Sequence, residues 1–219
     1  MQHWKLGIAV ASAAVGLLFA GPASAQLYLR GDAGWSWSQD AGDDIHNDLG
    51  SSYVFGAGVG YRFNPWLRSD FTAHYRGDYG VDSSFTAGGR AGAFKGDVSS
   101  IAGMFNVYAD LVTWGMFTPY IGGGIGVARN EVDDLQMSSG GQTGRLDGDH
   151  RYDFAWQAGA GVGIQIMPKL FVDVGYRYVD LGKVQTGTTG TLGNASFSGS
   201  AAEGDLNAHE VQVGLRLSF

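Results

Sequence analysis

The sequence predicts an all-β protein: an eight-stranded antiparallel up-and-down transmembrane β-barrel with short periplasmic turns and four long extracellular loops. Three observations carry that expectation. Apolar residues recur at every second position in eight separate segments, the connections between segments alternate between short and long, and aromatic residues collect at the two ends of the segments.

The eight segments run 27–38, 53–63, 67–76, 98–110, 117–128, 152–166, 170–180 and 208–219. In the first, "LYLRGDAGWSWS", Leu27, Leu29, Ala33, Trp35 and Trp37 share one face. In the last, "EVQVGLRLSF", Val211, Val213, Leu215, Leu217 and Phe219 fall on one face while Glu210, Gln212, Gly214, Arg216 and Ser218 fall on the other. A helix needs spacings of three and four, so period two excludes it.

Segments two, four and six are followed by the short connections "NPW" (64–66), "LVTWGM" (111–116) and "MPK" (167–169). The other connections exceed ten residues and are rich in Gly, Ser and Asp. Short turns on one side and long loops on the other are the asymmetry of an outer-membrane barrel, and an even strand number returns the last strand beside the first. Segments 58–76 and 161–178 also echo each other, with Pro65 over Pro168, Leu67 over Leu170, Asp70 over Asp173 and Tyr75 over Tyr178, so the same strand, proline turn and strand occur twice. Trp35, Trp37, Tyr53, Phe55, Tyr75, Phe154, Trp156, Tyr176 and Tyr178 are expected at the outer ends, and Tyr61, Phe63, Trp66, Trp114, Phe117 and Phe219 at the inner ends. Two such girdles suit the two membrane interfaces, where rings with a polar edge are favoured.

Residues 1–25 differ from the rest. "MQHWK" carries one charge, "LGIAVASAAVGLLFAG" is apolar, and Ala23-Ser24-Ala25 has the small-x-small form of a cleavage site, so 1–25 reads as a cleaved signal peptide and 26–219 as the barrel domain. No later stretch has the 18 or so apolar residues of a membrane-spanning helix. There is no cysteine, which removes disulfides and thiolate metal sites. With Lys5 set aside, 13 basic residues face 21 acidic ones, a balance that excludes nucleic acid as a partner. The 37 glycines follow no Gly-X-Y period, which excludes a collagen-like chain.

If the apolar strand faces meet lipid, the polar faces line the interior. Six cations lie there, Arg30, Arg62, Arg68, Arg76, Arg177 and Arg216, with six carboxylates, Asp32, Asp70, Asp110, Asp153, Asp173 and Glu210. His74, Asn106, Gln157 and Gln165 join them. Eight strands enclose a space that side chains fill, so this balanced set is expected to plug the barrel; an ion path threading past it is the competing expectation. The triplets Gly56, Gly58, Gly60, then Gly122, Gly124, Gly126, then Gly159, Gly161, Gly163 share that inner face. None is a strand-to-helix G-x-G-x-x-G, and their expected purpose is room for arginines from facing strands. His74 shares its face with Asp70 and lies near Thr72, which resembles a relay, but a hydrogen-bonded plug residue explains it equally. The sequence thus assigns no catalytic residue, no cofactor and no metal. The acidic connections holding Asp40, Asp43, Asp44 and Asp48, then Glu131, Asp133, Asp134, Asp147 and Asp149, read as solvated loops, since "DAGDD" is not an EF-hand sequence.

With "YLRGDAGWSWS", "TPYIGGGIGV", "YRYVDLG" and the terminal Phe in view, the chain resembles the small eight-stranded outer-membrane proteins of Gram-negative bacteria. These include the OmpA-type transmembrane barrel and the opacity-like surface antigens of alphaproteobacteria, sequences often given the name porin family. The resemblance covers the whole of 26–219 and rests on barrel grammar, not on an active site. The peptidoglycan-binding domain of OmpA has no counterpart in it, so a cell-wall tether is not implied. What the resemblance does imply is an outer-membrane location and a monomer held by outer-membrane lipids and lipopolysaccharide. Phe219 would be read as a signal by the barrel-assembly machinery. The expected function is a structural surface protein displaying extracellular loops, for envelope integrity or adhesion to a host or surface ligand, with no enzymatic activity; the alternative is a small nonspecific porin.

Overall fold

A computed structural model describes residues 26–38, 50–87, 90–139, 142–185, 187–192, 195–198 and 203–219. The expected leader and the acidic residues Asp40, Asp43, Asp44 and Asp48 lie outside the described residues. Eight long strands form the wall: β1 (Gln26–Ser38), β2 (Ser51–Asn64), β3 (Leu67–Ala87), β4 (Arg90–Asp110), β5 (Phe117–Val132), β8 (Asp149–Met167), β9 (Leu170–Gln185) and β12 (Glu203–Ser218). Between them lie four short strands, β6 (Leu135–Ser139), β7 (Gln142–Leu146), β10 (Thr189–Leu192) and β11 (Ala195–Ser198).

Each wall strand pairs antiparallel with its neighbour, and β1 pairs with β12 from Tyr28↔Ser218 to Ser38↔Ala208, which closes the barrel. Closure is what lets a sheet cross lipid, because every backbone N–H and C=O in the wall then has a partner. The alternation read from the sequence now has a direction. Val211, Val213, Leu215 and Leu217 point outward and are exposed, while Glu210, Gln212, Arg216 and Ser218 point inward and are buried. A water-soluble β-sandwich would have the reverse polarity.

The turns at one end are short for local reasons. Asn64 Oδ1 accepts hydrogen bonds from the amides of Trp66 and Leu67 at 2.9 and 2.8 Å, an Asx turn that reverses the chain through Pro65. At Gly115 the backbone has φ +60°, a conformation glycine adopts without a Cβ clash, and Trp114 and Phe117 exchange backbone bonds across it. At the third turn Gln165 Nε2 donates to the Pro168 carbonyl at 3.2 Å.

The far end departs from the expectation of irregular loops. β3 and β4 have 21 residues each, about twice the 9 to 11 that a tilted transmembrane strand needs, so their outer halves form a hairpin that stands clear of the membrane. β6 pairs with the outer part of β4, β7 with β6, β10 with β7 and β11 with β10, extending the wall into an extracellular sheet. Strands such as "TGTL" and "ASFS" are only four residues long, too short for alternation to mark them in the sequence.

The direction of the two faces gives a testable difference. Leu215→Arg places a cation on the lipid face and is expected to cost roughly 2 to 4 kcal/mol near the membrane centre. Gln212→Arg, on the inner face of the same strand, is expected to cost markedly less. Urea unfolding of both variants in lipid vesicles measures the two costs, and equal damage would contradict the register.

Candidate functional site

Among the described residues the interior concentrates most of the ion pairs, and its side chains stack from the short turns upward. Beside those turns, Arg62 and Arg68 are cross-strand partners whose like charges would repel. Asp110 bridges them: its Oδ1 accepts from Arg68 Nε at 2.9 Å and its Oδ2 lies 3.4 Å from Arg62 Nη2. The Arg68 guanidinium carbon sits 4.3 Å from the ring centre of Tyr108 and 4.7 Å from that of Tyr120. Arg216 pairs bidentately with Asp173, at 2.8 and 3.0 Å, and lies 4.4 Å from the ring centre of Phe171. Aromatic faces thus do part of the work of counter-charge where carboxylates are few.

In the middle, Asp70 gathers three donors: the Tyr28 hydroxyl at 3.0 Å, Arg30 at 3.3 Å and Asn106 at 2.8 Å. Arg30 also reaches Asp32 at 3.2 Å and the Tyr108 oxygen at 3.0 Å. His74 Nε2 lies 2.9 Å from Asp32 Oδ1 and 3.3 Å from Arg177 Nη1. Gln157 donates to Asn106 Oδ1 at 2.5 Å.

Above this layer Glu210, fully buried, is the hub. It accepts from Arg76 Nε at 2.7 Å, Arg177 Nε at 2.6 Å, Ser36 at 3.2 Å and Gln212 at 3.2 Å. Tyr79 closes the layer through a 2.6 Å bond with Ser36. A register shift between Arg76 and Tyr79 is what turns Tyr79 inward: without that bulge its parity would send it to lipid.

Still higher the character changes. Tyr79, Val98, Val132, Leu135, Val179, Leu181, Leu206 and Ala208 form one buried apolar cluster with Ala102, Met104, Ala128 and Ala155. The barrel is therefore filled twice, by ion pairs across the membrane and by a hydrophobic cap at the extracellular end.

The inner glycines are the seats of this packing. A Cβ on Gly56 would meet the His74 ring, on Gly60 the Tyr28 ring, on Gly122 the Tyr108 ring, on Gly124 the Asn106 amide and on Gly161 the Tyr120 ring. The expected occupants were arginines; many of the actual ones are rings and amides, while Gly159 lies against Arg177 and Gly163 against the Asp173–Arg216 pair. A planar group lying flat along the wall needs a missing side chain beneath it, whereas an arginine can extend away from the wall toward the axis.

Of the expected interior set, Arg30, Asp32, Arg62, Arg68, Asp70, His74, Arg76, Asp110, Asp173, Arg177, Glu210 and Arg216 meet in the connected layers described above. Asp153 does not. It sits at the extracellular rim, with Arg151 Nε 3.5 Å away, and accepts the amides of Phe154 and Lys183. Backbone donors there hold its carboxyl below the usual carboxylate range. Gln165 keeps its inward parity, paired with the buried Phe171, but stands at the end of its strand beside the turn and is exposed there. His74 takes Asp32, not Asp70, and no hydroxyl bonds it, since Thr72 accepts from Asn106 instead. Phe219 is exposed on the outer wall, its amide bonded to the Leu27 carbonyl at 3.0 Å. The sequence reading missed Tyr28, Tyr79, Tyr108, Tyr120 and Phe171, although the parity of Tyr28 with Arg30 and Asp32 places it inside. Among the described residues no group of three or more metal-ligating side chains occurs.

The hub is the sensitive point. Removing one partner of a buried ion pair leaves a charge with no solvent and no counter-ion, at a cost of about 3 to 5 kcal/mol. Glu210→Gln is expected to lose most of that range in urea unfolding followed by tryptophan fluorescence, and a loss under ~0.5 kcal/mol would show that the layer is not desolvated.

Comparison with known proteins agrees with this architecture. Residues 8–219 match the model of the outer membrane protein beta-barrel domain family. An uncharacterised protein of Brucella suis is 30% identical over 90% of this chain and 86% of its own length. Outer membrane protein PagN of Salmonella typhimurium is 28% identical, over 80% of this chain and 79% of its own. Neisserial surface protein A shares the fold with a TM-score of 0.57 at 18% identity, covering 90% of this chain and 99% of that one. Closed eight-stranded wall, inverted polarity and sequence match agree, and the chain belongs to the outer membrane protein beta-barrel family, as a Gram-negative outer-membrane protein.

Proposed function

We propose that this protein is a non-conducting surface barrel: a monomeric scaffold that holds an extracellular sheet at the cell surface, for envelope integrity or adhesion to a host or surface ligand. The observation that carries this reading is the double filling of the interior. Ion pairs occupy the membrane-spanning part, and the cluster around Leu181 and Leu206 stands over them at the extracellular end. The extra strand length meanwhile lies outside, in the outer halves of β3 and β4 and in β6, β7, β10 and β11.

The remaining parts of the reading follow from the wall. Export proceeds with a leader cleaved after Ala25. The apolar outer face and its aromatic girdles sit among outer-membrane lipids and lipopolysaccharide. Closure within one chain supports a monomer, because no sheet edge within the membrane is left for a second copy. Catalysis has no support in the interior, where His74 contacts Asp32 and Arg177 and no nucleophile.

A small nonspecific porin is the second reading. A cavity of about 40 Å³ beside Arg30, Tyr108 and Gln157 favours it. That is room for water and not for a solute.

Conductance of the refolded chain in a planar lipid bilayer separates the two readings. Silence from protein shown to be folded is the expected result, and steady reproducible channels would move the function to passive transport. A second expectation concerns Phe219 as assembly signal. Phe219→Asn should lower the amount of folded barrel in the outer membrane of cells several-fold while leaving the yield of refolding from urea into detergent unchanged, and equal losses in both would make Phe219 a stability residue only.

A further inference from the structure

The placement of Asp153 at the rim unbalances the interior. The layers contain six arginines, Arg30, Arg62, Arg68, Arg76, Arg177 and Arg216, but five carboxylates, Asp32, Asp70, Asp110, Asp173 and Glu210. The surplus cation can be located. Glu210 has Arg76 and Arg177, and Asp32 and Asp70 share Arg30, so the upper and middle layers are balanced among themselves. Beside the periplasmic turns Arg62, Arg68 and Arg216 face only Asp110 and Asp173. All four oxygens of those two carboxylates are already engaged, by Arg68 Nε, Arg62 Nη2 and the Arg216 pair.

Four buried nitrogens here, Arg62 Nε, Arg68 Nη1 and Nη2, and Arg216 Nη1, have no hydrogen-bond partner, twice as many guanidinium nitrogens as around Glu210, where Arg76 Nη1 and Arg177 Nη2 lack one. Arg68 and Arg216 are almost wholly buried, at 1% and 2% exposure. The three groups converge. Arg62 and Arg216 stand over the same Phe171 ring, at 5.5 and 4.4 Å from its centre, and Arg62 and Arg68 share Asp110. Tyr108, Tyr120 and Phe171 hold the guanidinium planes in place, so the free N–H groups are fixed in direction before any ligand arrives.

We propose that the periplasmic end of the barrel interior is a binding site for one small monovalent anion of the halide class, held by the free N–H groups of Arg62, Arg68 and Arg216. Water could satisfy the donors but not the charge, and in a desolvated layer the uncompensated cation is the larger cost. A spherical anion accepts from several guanidiniums of different orientation at once, where a second carboxylate would need a backbone to carry it. Arg62, partly exposed at the mouth, gives the path of entry from the periplasm.

Bromide is the probe. Crystals of the refolded wild-type barrel soaked in sodium bromide should show an anomalous peak within about 3.5 Å of nitrogens from at least two of the three arginines. In solution at constant ionic strength, replacing gluconate by bromide should raise the unfolding midpoint saturably. Arg62→Gln, at the partly exposed mouth, should raise the half-saturating concentration at least tenfold. Three results overturn the proposal: water density alone at the site, an equal bromide response in wild type and Arg62→Gln, or a peak with no saturable response in solution, which would be an adventitious ion only. None of these outcomes depends on whether the barrel conducts.

Discussion

The pairing of β1 with β12 is the contact that the remaining structure presupposes. In lipid an unpaired strand edge leaves a row of N–H and C=O groups with no water to receive them, so an open eight-stranded sheet has no stable place in the membrane. Once Tyr28 meets Ser218 and Ser38 meets Ala208, two surfaces are defined at a stroke, one facing lipid and one facing a narrow lumen. Every alternation along the wall strands is then a choice between those two solvents. The outer solvent demands Val213 and Leu215; the inner one, too narrow for bulk water, demands side chains that satisfy one another.

That inner demand explains why charges are tolerated there in such number. A guanidinium within a dry lumen must find either a carboxylate or a ring face, and the layers supply both: Asp173 and Phe171 for Arg216, Asp110 with Tyr108 and Tyr120 for Arg68. Such pairs contribute less to net stability than their distances suggest, since desolvation offsets much of the attraction. Their effect is on register. Sliding β12 by one residue would carry Glu210 and Arg216 into lipid and bring Val211 and Leu215 inside, so the buried charges penalise every wrong pairing far more than an apolar lumen would. The glycines contribute to the same end, because a ring such as Tyr28 fits only where Gly60 lies beside it.

Much of this was legible in the sequence because period two is a local signal. Strict alternation in "EVQVGLRLSF" specified both faces of β12 without reference to any other strand, and parity alone placed twelve of the thirteen proposed interior residues in the lumen's layers. What parity lacks is height and continuity. Asp153 has the inward parity of Gln157 but stands at the rim, a distance along the axis that no single strand encodes. Tyr79 lies past a bulge, where one inserted residue reverses the faces, and Gln165 keeps its inward parity opposite Phe171 but ends at the open mouth. The apolar cap was hidden for a different reason: Val179, Leu181 and Leu206 are inward apolar residues in segments whose outward neighbours are no longer in lipid, so the contrast that marks a transmembrane strand fades there. The extracellular strands β10 and β11 are only four residues each, too short for a period of two to stand out, and they pair with strands distant in sequence.

The cap and the charged layers solve one problem by opposite means, and their order along the axis matters. A hydrophobic cluster at the periplasmic turns would have to sit between short connections that cannot bring apolar side chains over the mouth; "NPW" and "MPK" are too brief. At the extracellular end the strands continue past the membrane, and residues such as Tyr79, Leu135 and Leu206 can fold across the opening from β3, β6 and β12. The barrel is thus filled by apolar side chains where it has chain to spare and by paired charge where it has none. The apolar end is also the one that faces the surroundings, so the extracellular sheet rests on a packed base, and substitutions in its outer strands alter the displayed surface without reaching the ion pairs that fix the register below.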